Sequence, residues 1–514
     1  MSNNEGIAIL RPVMAMEKTM TKRMNIRLCI YFLILLGAGI FLSRCVTGPG
    51  ELTLQSVEAD RELGQETAQL VAQQIGIVDD ADMTAYLNAI GQQLVRAHTD
   101  QRFDYSFQIV DQFEPNAFAA PGGYIFVSRG LLALANNEDE LANVIGHEII
   151  HVSRRHIARQ MAKQRVPSLL SLPGRVVGRV VSQNIGALLN APIDTLGAAY
   201  IAKHSRKDEF EADRLGQRLS AQTGYDPVAL APILGRLEQE SQLRTGEQRR
   251  PGFFDTHPTT PDRVSRVTRD AQKIEWSRRP GVVRDSAEFL RQLDGLLIGT
   301  NPAEGVFQGR KFLQPVLDFS IVFPKDWIAM NTRQAVVAMA KKRDAVLILG
   351  IQGEGTDPGQ AAAALTQALH KEFRAKPTRS ESARIGNLPA HLVTYSDTSG
   401  KEPMHLHFLW VAYRGLIYQF IGLAAESYRP TLRDAALSFK PLTSSERASI
   451  KETRLRIVSA RANETLDQLN KRTRNVWDVK TTSVMNGIKP GQPLQKGQLV
   501  KIAVLQPYRG PMAR

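Results

Sequence analysis

The sequence predicts a multidomain chain: a mainly α first domain with a small edge sheet, then an α/β sandwich-like module, then a small βααβ module. Three observations carry this. Helical periodicity runs through VEADRELGQETAQLVAQQIG and residues 82–97, residues 306–443 switch to strand-like runs, and residues 455–505 alternate strand, two helices and strand. A length of 514 residues allows about three folded units, each large enough to bury a core. Pro-rich, polar breaks at 299–305 and 441–446 supply the boundaries, giving units at 46–300, 306–443 and 450–507 behind an amino-terminal segment, 1–45.

That amino-terminal segment has the form of an export signal. Lys18, Lys22, Arg23 and Arg27 precede an apolar run over 28–42, which suits the core of a secretory signal and is short for a membrane span. Leu42-Ser43-Arg44-Cys45 has the outline of a lipoprotein cleavage site, although Arg44 stands where a small residue is usual. A cleaved signal, a lipid anchor and an uncleaved signal anchor all fit, and all three place the rest of the chain in the periplasm. Cys29 and Cys45 are the only cysteines, so the exported body has no internal disulfide.

Within the first domain, residues 116–124 read as a strand with a Pro-Gly-Gly turn. It is either an ordinary core hairpin or an edge that holds an extended peptide by main-chain hydrogen bonds. In the second case Asn116, Phe118, Gly122, Gly123 and Tyr124 form the candidate substrate-binding stretch.

The stretch NVIGHEIIHVSRRH follows, with Glu138, Asp139 and Glu140 at the start of its helix, where the macrodipole favours anions. Residues four apart on a helix lie roughly 40° from each other on one face, so His147 and His151 can reach one ion. Zinc accepts neutral imidazole nitrogen and requires a third protein ligand, leaving a position for water. Glu148, beside the first histidine, can act as general base on that water. Burying two histidines and a carboxylate in an apolar helix without such a purpose would be costly. His156 falls about 140° around the helix from His151 and reads as a packing or surface residue, as does His204.

Candidates for the third ligand lie in AKHSRKDEFEADRLG: Glu209, Glu211 and Asp213. Glu209 and Asp213 share a helix face, so one can ligate the metal while the other accepts a hydrogen bond from a ligand histidine. Glu211 points about 160° away and reads as a surface residue. The Gly-, Val- and Leu-rich insertion at 166–199 is either a lid over this site or a packed helical pair.

HEIIH, SRKDEFEAD and THPTTPDR, in that order, resemble the gluzincin peptidases that include the CAAX prenyl endopeptidases, HtpX and the periplasmic BepA-type proteases. The resemblance spans about residues 58–270 and includes NAFAAPGGYIFVSRGLL, which is close to the BepA type. It implies a zincin-type fold holding one Zn2+ per chain, with His147, His151 and Glu209 as ligands, Glu148 as base and Asp213 behind the ligands. His257 and Arg263 would border the metal as catalytic groups, either of them a donor to the tetrahedral oxyanion of peptide hydrolysis. In the BepA type the equivalent of His257 can occupy the open position of the zinc and silence the enzyme. The edge-strand reading of 116–124 is favoured by the same likeness.

Residues 306–443 read as an antiparallel sheet with helices on one side and resemble PsbP-like modules through F-P-x-x-W and S-F-x-x-L. His405 and His407 share one strand face there, where a solvated face is the ordinary reading. Residues 450–507 resemble a LysM module, which implies binding to peptidoglycan. From residue 444 onward there are 14 Lys/Arg against 5 Asp/Glu, nine of the chain's net +14, which favours an anionic cell-wall or membrane partner. No nucleic-acid-binding motif accompanies the charge.

Together these features predict an exported zinc endopeptidase that cleaves misassembled cell-envelope proteins by Glu-assisted attack of zinc-activated water, regulated by His257. The alternative is a zinc-latched chaperone or scaffold bound to the cell wall with little or no proteolysis.

Overall fold

The computed structural model describes residues 56–159, 204–243, 252–258, 260, 262–398 and 403–510. The expected amino-terminal signal or anchor and the 166–199 insertion lie outside the described residues. Two helices open the described chain, α1 (Val57–Gln74) and α2 (Ala81–Ala97). Each starts at a side chain that accepts a first-turn N–H, Ser56 from Ala59 and Asp80 from Met83. Helix α2 then buries Leu87, Ile90 and Leu94, the apolar stripe that its period predicts.

A three-stranded sheet follows: β1 (Ser106–Val110), β2 (Ala117–Ala120) and β3 (Tyr124–Ser128). Strand β3 is central, parallel to β1 and antiparallel to β2, so β2 is an edge. The strand expected over 116–124 is in fact two strands. Gly122 and Gly123 have φ of 76° and 107°, and this left-handed backbone turns the chain between them. A Cβ on Gly123 would lie 2.2 Å from the Asp104 carbonyl oxygen, and one on Gly122 2.8 Å from that of Asp60. The turn therefore needs glycine to press against α1 and the segment before β1.

The remaining helices of this region are α3 (Arg129–Leu134), α4 (Glu138–Ser153), α5 (Arg206–Thr223), α6 (Leu230–Leu243), α7 (Phe253–Thr256), α8 (Arg263–Ala271) and α9 (Ser286–Gln292). Helix α4 runs through the middle of the core, where Leu141, Val144, Ile145 and Ile149 are fully buried.

After the short strand β4 (Leu297–Ile298) the character changes, as expected. Strands β5 (Val306–Gln308), β6 (Lys311–Gln314), β7 (Phe319–Val322) and β15 (Lys440–Pro441) form a four-stranded sheet in the order β15-β7-β6-β5. A seven-stranded antiparallel sheet is built from β8 (Ile328–Asn331), β9 (Ala335–Met339), β10 (Val346–Glu354), β11 (Arg379–Ile385), β12 (Leu388–Asp397), β13 (Met404–Tyr413) and β14 (Leu416–Ala425). The expectation of helices on one side needs correction. Helix α10 (Pro358–Phe373) covers the face bearing Leu406, Phe408 and Trp410, whereas α11 (Arg429–Leu437) and Phe319 of β7 cover the face bearing Leu409 and Val411. Strand β13 is apolar on both faces along this stretch, so each face requires a cover.

A short helix, α12 (Ser444–Ser449), leads into β16 (Lys451–Ser459), α13 (Leu466–Thr473), α14 (Val479–Asn486) and β17 (Leu499–Pro507), the expected strand-helix-helix-strand order. This segment closes onto the first domain. Strand β4 pairs with β16, and Leu455, Met485 and Ala503 lie in the same apolar core as helix α4. Lys501 is fully buried, and its ammonium donates to the carbonyls of Ala133, Leu134 and Ala135 at 2.7, 3.1 and 2.8 Å, capping the end of α3. Burial pushes its pKa well below the ordinary lysine value. No helix among the described residues is long and apolar enough to cross a membrane.

Candidate metal centre

Two helices carry the site, and their starts are fixed by polar side chains. Asn137 caps α4 by accepting from the Glu140 N–H at 2.9 Å. The carboxylate of Glu138 accepts from Tyr86 Oη and Tyr225 Oη at 2.9 Å each, and from the backbone N–H of Val282 at 2.7 Å and Val283 at 2.9 Å. Helix α5 opens with a reciprocal capping box between Ser205 and Asp208. The helices meet at Gly146 and Gly216, where a Cβ on Gly216 would sit 2.9 Å from His147 N. This close approach brings the carboxylate of Glu209 to the two imidazoles of α4.

Nε2 of His147 and Nε2 of His151 converge at 2.9 Å. Glu209 lies 3.3 Å from His151 Nε2 through Oε1 and 3.6 Å from His147 Nε2 through Oε2. His257 Nδ1 is 3.3 Å from His147 Nε2 and 3.1 Å from Glu209 Oε1. A tetrahedral zinc with bonds of about 2.0–2.1 Å has ligand-to-ligand edges of roughly 3.4 Å, so these separations suit one ion. All four groups are buried, with ligand atoms within 4.8 Å of one another. The donor set therefore fits zinc, and His257 stands at the fourth corner.

Glu148 is also completely buried, and neither carboxylate oxygen has a hydrogen-bond partner among the described residues. His257 Nε2 lies 3.4 Å from its Oε1. Burial raises the Glu148 pKa against the pull of His257 and His147, which strengthens it as a base. Burial and the neighbouring His204 hold His151 well below the usual histidine range, in the neutral form that a metal needs. Burial opposes the charge on Glu209, but the His257 ring and hydrogen bonds from His151 and His257 outweigh it and keep the carboxyl far below its ordinary value.

Asp213 sits behind the ligands, with Oδ1 3.0 Å from His147 Nδ1. Arg263 is 1% exposed and faces this carboxylate in a two-bond fork, Nε to Oδ2 at 2.9 Å and Nη2 to Oδ1 at 2.7 Å. Its Nη1 lies 3.0 Å from Glu209 Oε2. The guanidinium is thus committed to two carboxylates on the far side of the ligand shell. That placement makes it a holder of Glu209 and Asp213 rather than a donor to substrate.

Two histidines read from the sequence as bland belong to the site. His156 is buried, with Nδ1 2.9 Å from His151 Nδ1. The helical projection fails because α4 ends at Ser153 and Arg155 takes φ 53°, folding the chain back. His204, also buried, lies over the His151 ring with centroids 3.7 Å apart. Its backbone N–H donates to the Thr256 carbonyl at 2.9 Å, tying it to the residue before His257. Glu211 is half-buried rather than a free surface group, pairing with Arg154 at 3.2 Å and His156 at 3.4 Å. The only cue in the sequence was the number of histidines near the motif.

The candidate substrate-binding residues divide. Asn116 is fully buried, and its side-chain oxygen and nitrogen make no hydrogen bond among the described residues. Phe118 stacks on Phe126 at 5.0 Å in a small core with Val71 and Val110, so its ring is structural. Gly122 and Gly123 serve the turn described above, and Tyr124 packs at the edge of the Phe118 cluster. In the sheet module, His405 meets Ser396 Oγ at 2.9 Å and His407 meets Thr394 Oγ1 at 3.0 Å, neighbours across one strand pair.

An H-E-x-x-H helix with a downstream glutamate beside it thus forms a buried donor group that could hold one metal ion. Residues 81–271 match the family model described as Peptidase family M48. Over 237 residues it is 28% identical to the beta-barrel assembly-enhancing protease of Escherichia coli (strain K12), covering 46% of this chain and 47% of that protein. A putative beta-barrel assembly-enhancing protease of Vibrio cholerae is 30% identical over 42% of this chain and 45% of its own length. The mitochondrial metalloendopeptidase OMA1 of Schizosaccharomyces pombe is 25% identical over 46% of this chain and 66% of its own length. The chain spans about half the length of the bacterial relatives. The solution structure of cyanobacterial PsbP from Synechocystis sp. PCC 6803 matches 28% of this chain and 98% of that one, at 15% identity and a TM-score of 0.22.

Proposed function

We propose that this chain is an exported zinc endopeptidase that hydrolyses peptide bonds of misassembled cell-envelope proteins, with His257 as its regulator. The observation that carries the reading is Glu148: a fully buried carboxylate with no hydrogen-bond partner among the described residues, beside four convergent potential metal donors. When bound, zinc supplies Lewis acidity and lowers the pKa of a water molecule. His147, His151 and Glu209 would hold the ion, and Asp213 would fix the His147 ring through Nδ1. Glu148 takes the proton of the attacking water and passes it to the leaving amine. The edge strand β2, buried among the described residues, is the proposed place for an extended substrate, and the amide of Asn116 at its start has no hydrogen-bond partner among those residues. Envelope substrates rest on the likeness to beta-barrel assembly-enhancing proteases and on the expected amino-terminal export signal; the carboxy-terminal segment is the proposed peptidoglycan contact.

His257 distinguishes the two functional readings. With Nδ1 at the fourth corner of the donor set and Nε2 facing Glu148, it occupies the place of substrate and water together. That arrangement favours a silenced state, and it is also what a zinc-latched scaffold would need. Cleavage of casein or an unfolded envelope protein by purified His257→Ala separates them. The latch reading expects basal proteolysis to rise several-fold. Loss of all cleavage would make His257 an oxyanion donor instead, and cleavage equally absent from both proteins would favour the scaffold.

A further inference from the structure

We propose that His156 is a positioning residue for the metal centre, fixing the tautomer and ring orientation of His151 through a hydrogen-bonded relay that ends on Glu211, with Asp208 beside it. The inference rests on the zinc-centre reading and adds a residue that the H-E-x-x-H and E-x-x-x-D motifs do not contain.

The protons follow from the geometry. Nδ1 of His151 and Nδ1 of His156 are 2.9 Å apart, so one carries a hydrogen and the other accepts it. Neutral imidazole offers one donor and one acceptor nitrogen. His151 Nε2 faces the other metal donors, 2.9 Å from His147 Nε2 and 3.3 Å from Glu209 Oε1, and must present its lone pair to the ion. His151 therefore carries its proton on Nδ1 and donates to His156 Nδ1. His156 in turn carries its proton on Nε2, which lies 3.4 Å from Glu211 Oε2 and 3.7 Å from Asp208 Oδ1. Only one direction of donation is consistent along the whole chain.

The surroundings hold this relay in place. Arg154 lies 3.2 Å from Glu211, and Arg159 lies 3.5 Å from Asp208 and 3.9 Å from Glu211, so arginines hold both carboxylates beside His156. The left-handed turn that returns His156 to the site is centred on Arg155, whose guanidinium grips the buried Asp60 at 2.5 and 3.0 Å. The two zinc-facing histidines of α4 are thus oriented differently: His147 directly by Asp213, and His151 through a second imidazole. Such outer partners typically contribute about 10–100-fold in metal affinity.

The test is the zinc dissociation constant of the full chain, measured by competition with a chromogenic chelator, for wild type, His156→Leu and His156→Asn. Leucine fills the space without accepting a hydrogen bond, whereas asparagine presents Oδ1 near the position of Nδ1. The relay expects His156→Leu to weaken zinc binding by about 10–100-fold and His156→Asn to stay within about threefold of wild type. Unchanged affinity in His156→Leu overturns the proposal, and so does an asparagine variant as weak as the leucine one, since packing alone would explain that. If the leucine variant fails to fold, His156→Asn decides by itself: affinity near wild type supports the relay, and a loss beyond about tenfold contradicts it. A wild-type chain that binds no zinc would refute the metal-centre reading itself.

Discussion

Glu148→Gln, made in the His257→Ala background where the latch is released, lowers peptide-bond cleavage by about 10²–10⁴-fold while the protein still binds its zinc. The substitution keeps shape and volume but cannot accept the proton of the attacking water. It should be structurally mild, because the Glu148 oxygens make no hydrogen bond to any of the described residues. Glutamine is neutral, so the desolvation that raises the Glu148 pKa is relieved rather than worsened. The measurement is the initial rate of casein or unfolded envelope-protein cleavage, together with zinc content. Equal rates in His257→Ala with and without the second substitution would remove the role assigned to Glu148.

Arg263→Met has a comparable effect on stability. The guanidinium is buried against Asp213 and Glu209 and stacks near the Phe253 ring, 5.9 Å from its centre. Its removal leaves two carboxylates in the core without their main cationic partner, and breaking such a buried pair costs about 3–5 kcal/mol. Methionine retains much of the volume, so the loss is electrostatic rather than a cavity. Denaturant unfolding of the metal-free protein reads this cost directly, since Arg263 contributes there without the ion. A variant as stable as wild type, with unchanged zinc affinity, would mean that the Arg263–Asp213–Glu209 contacts contribute nothing.

What the sequence made legible follows from what helix geometry projects. His147, Glu148 and His151 are placed by a spacing of four on an uninterrupted helix, and Glu209 with Asp213 by the same rule on a second one. Choosing Glu209 over Asp213 as ligand needed the family resemblance, because spacing treats the two alike. Arg263 was placed near the site, but its orientation depends on α8 packing against α5, which no local pattern reports. His156 and His204 were missed because a single left-handed residue, Arg155, and a contact between distant segments bring them in.

The modules show the same limit. Strand patterns revealed an antiparallel sheet in the middle module, though not its strands β8, β9 and β11, and the strand-helix-helix-strand order at the carboxy terminus. They did not reveal that β4 pairs with β16, since a two-residue strand carries no periodic signal. Lys501 illustrates the point most clearly. It counts among the basic residues that suggested an anionic partner, yet its ammonium is buried against three carbonyls of the peptidase domain.

X-ray absorption of the purified, zinc-loaded chain reads whether His147, His151 and Glu209 hold one zinc with His257 at the fourth position. The expected result is about one metal per chain in a four-coordinate shell of three imidazole nitrogens and one carboxylate oxygen, falling to two imidazoles in His257→Ala. A wild-type shell that already has only two imidazoles, or that is unchanged by the substitution, would contradict it.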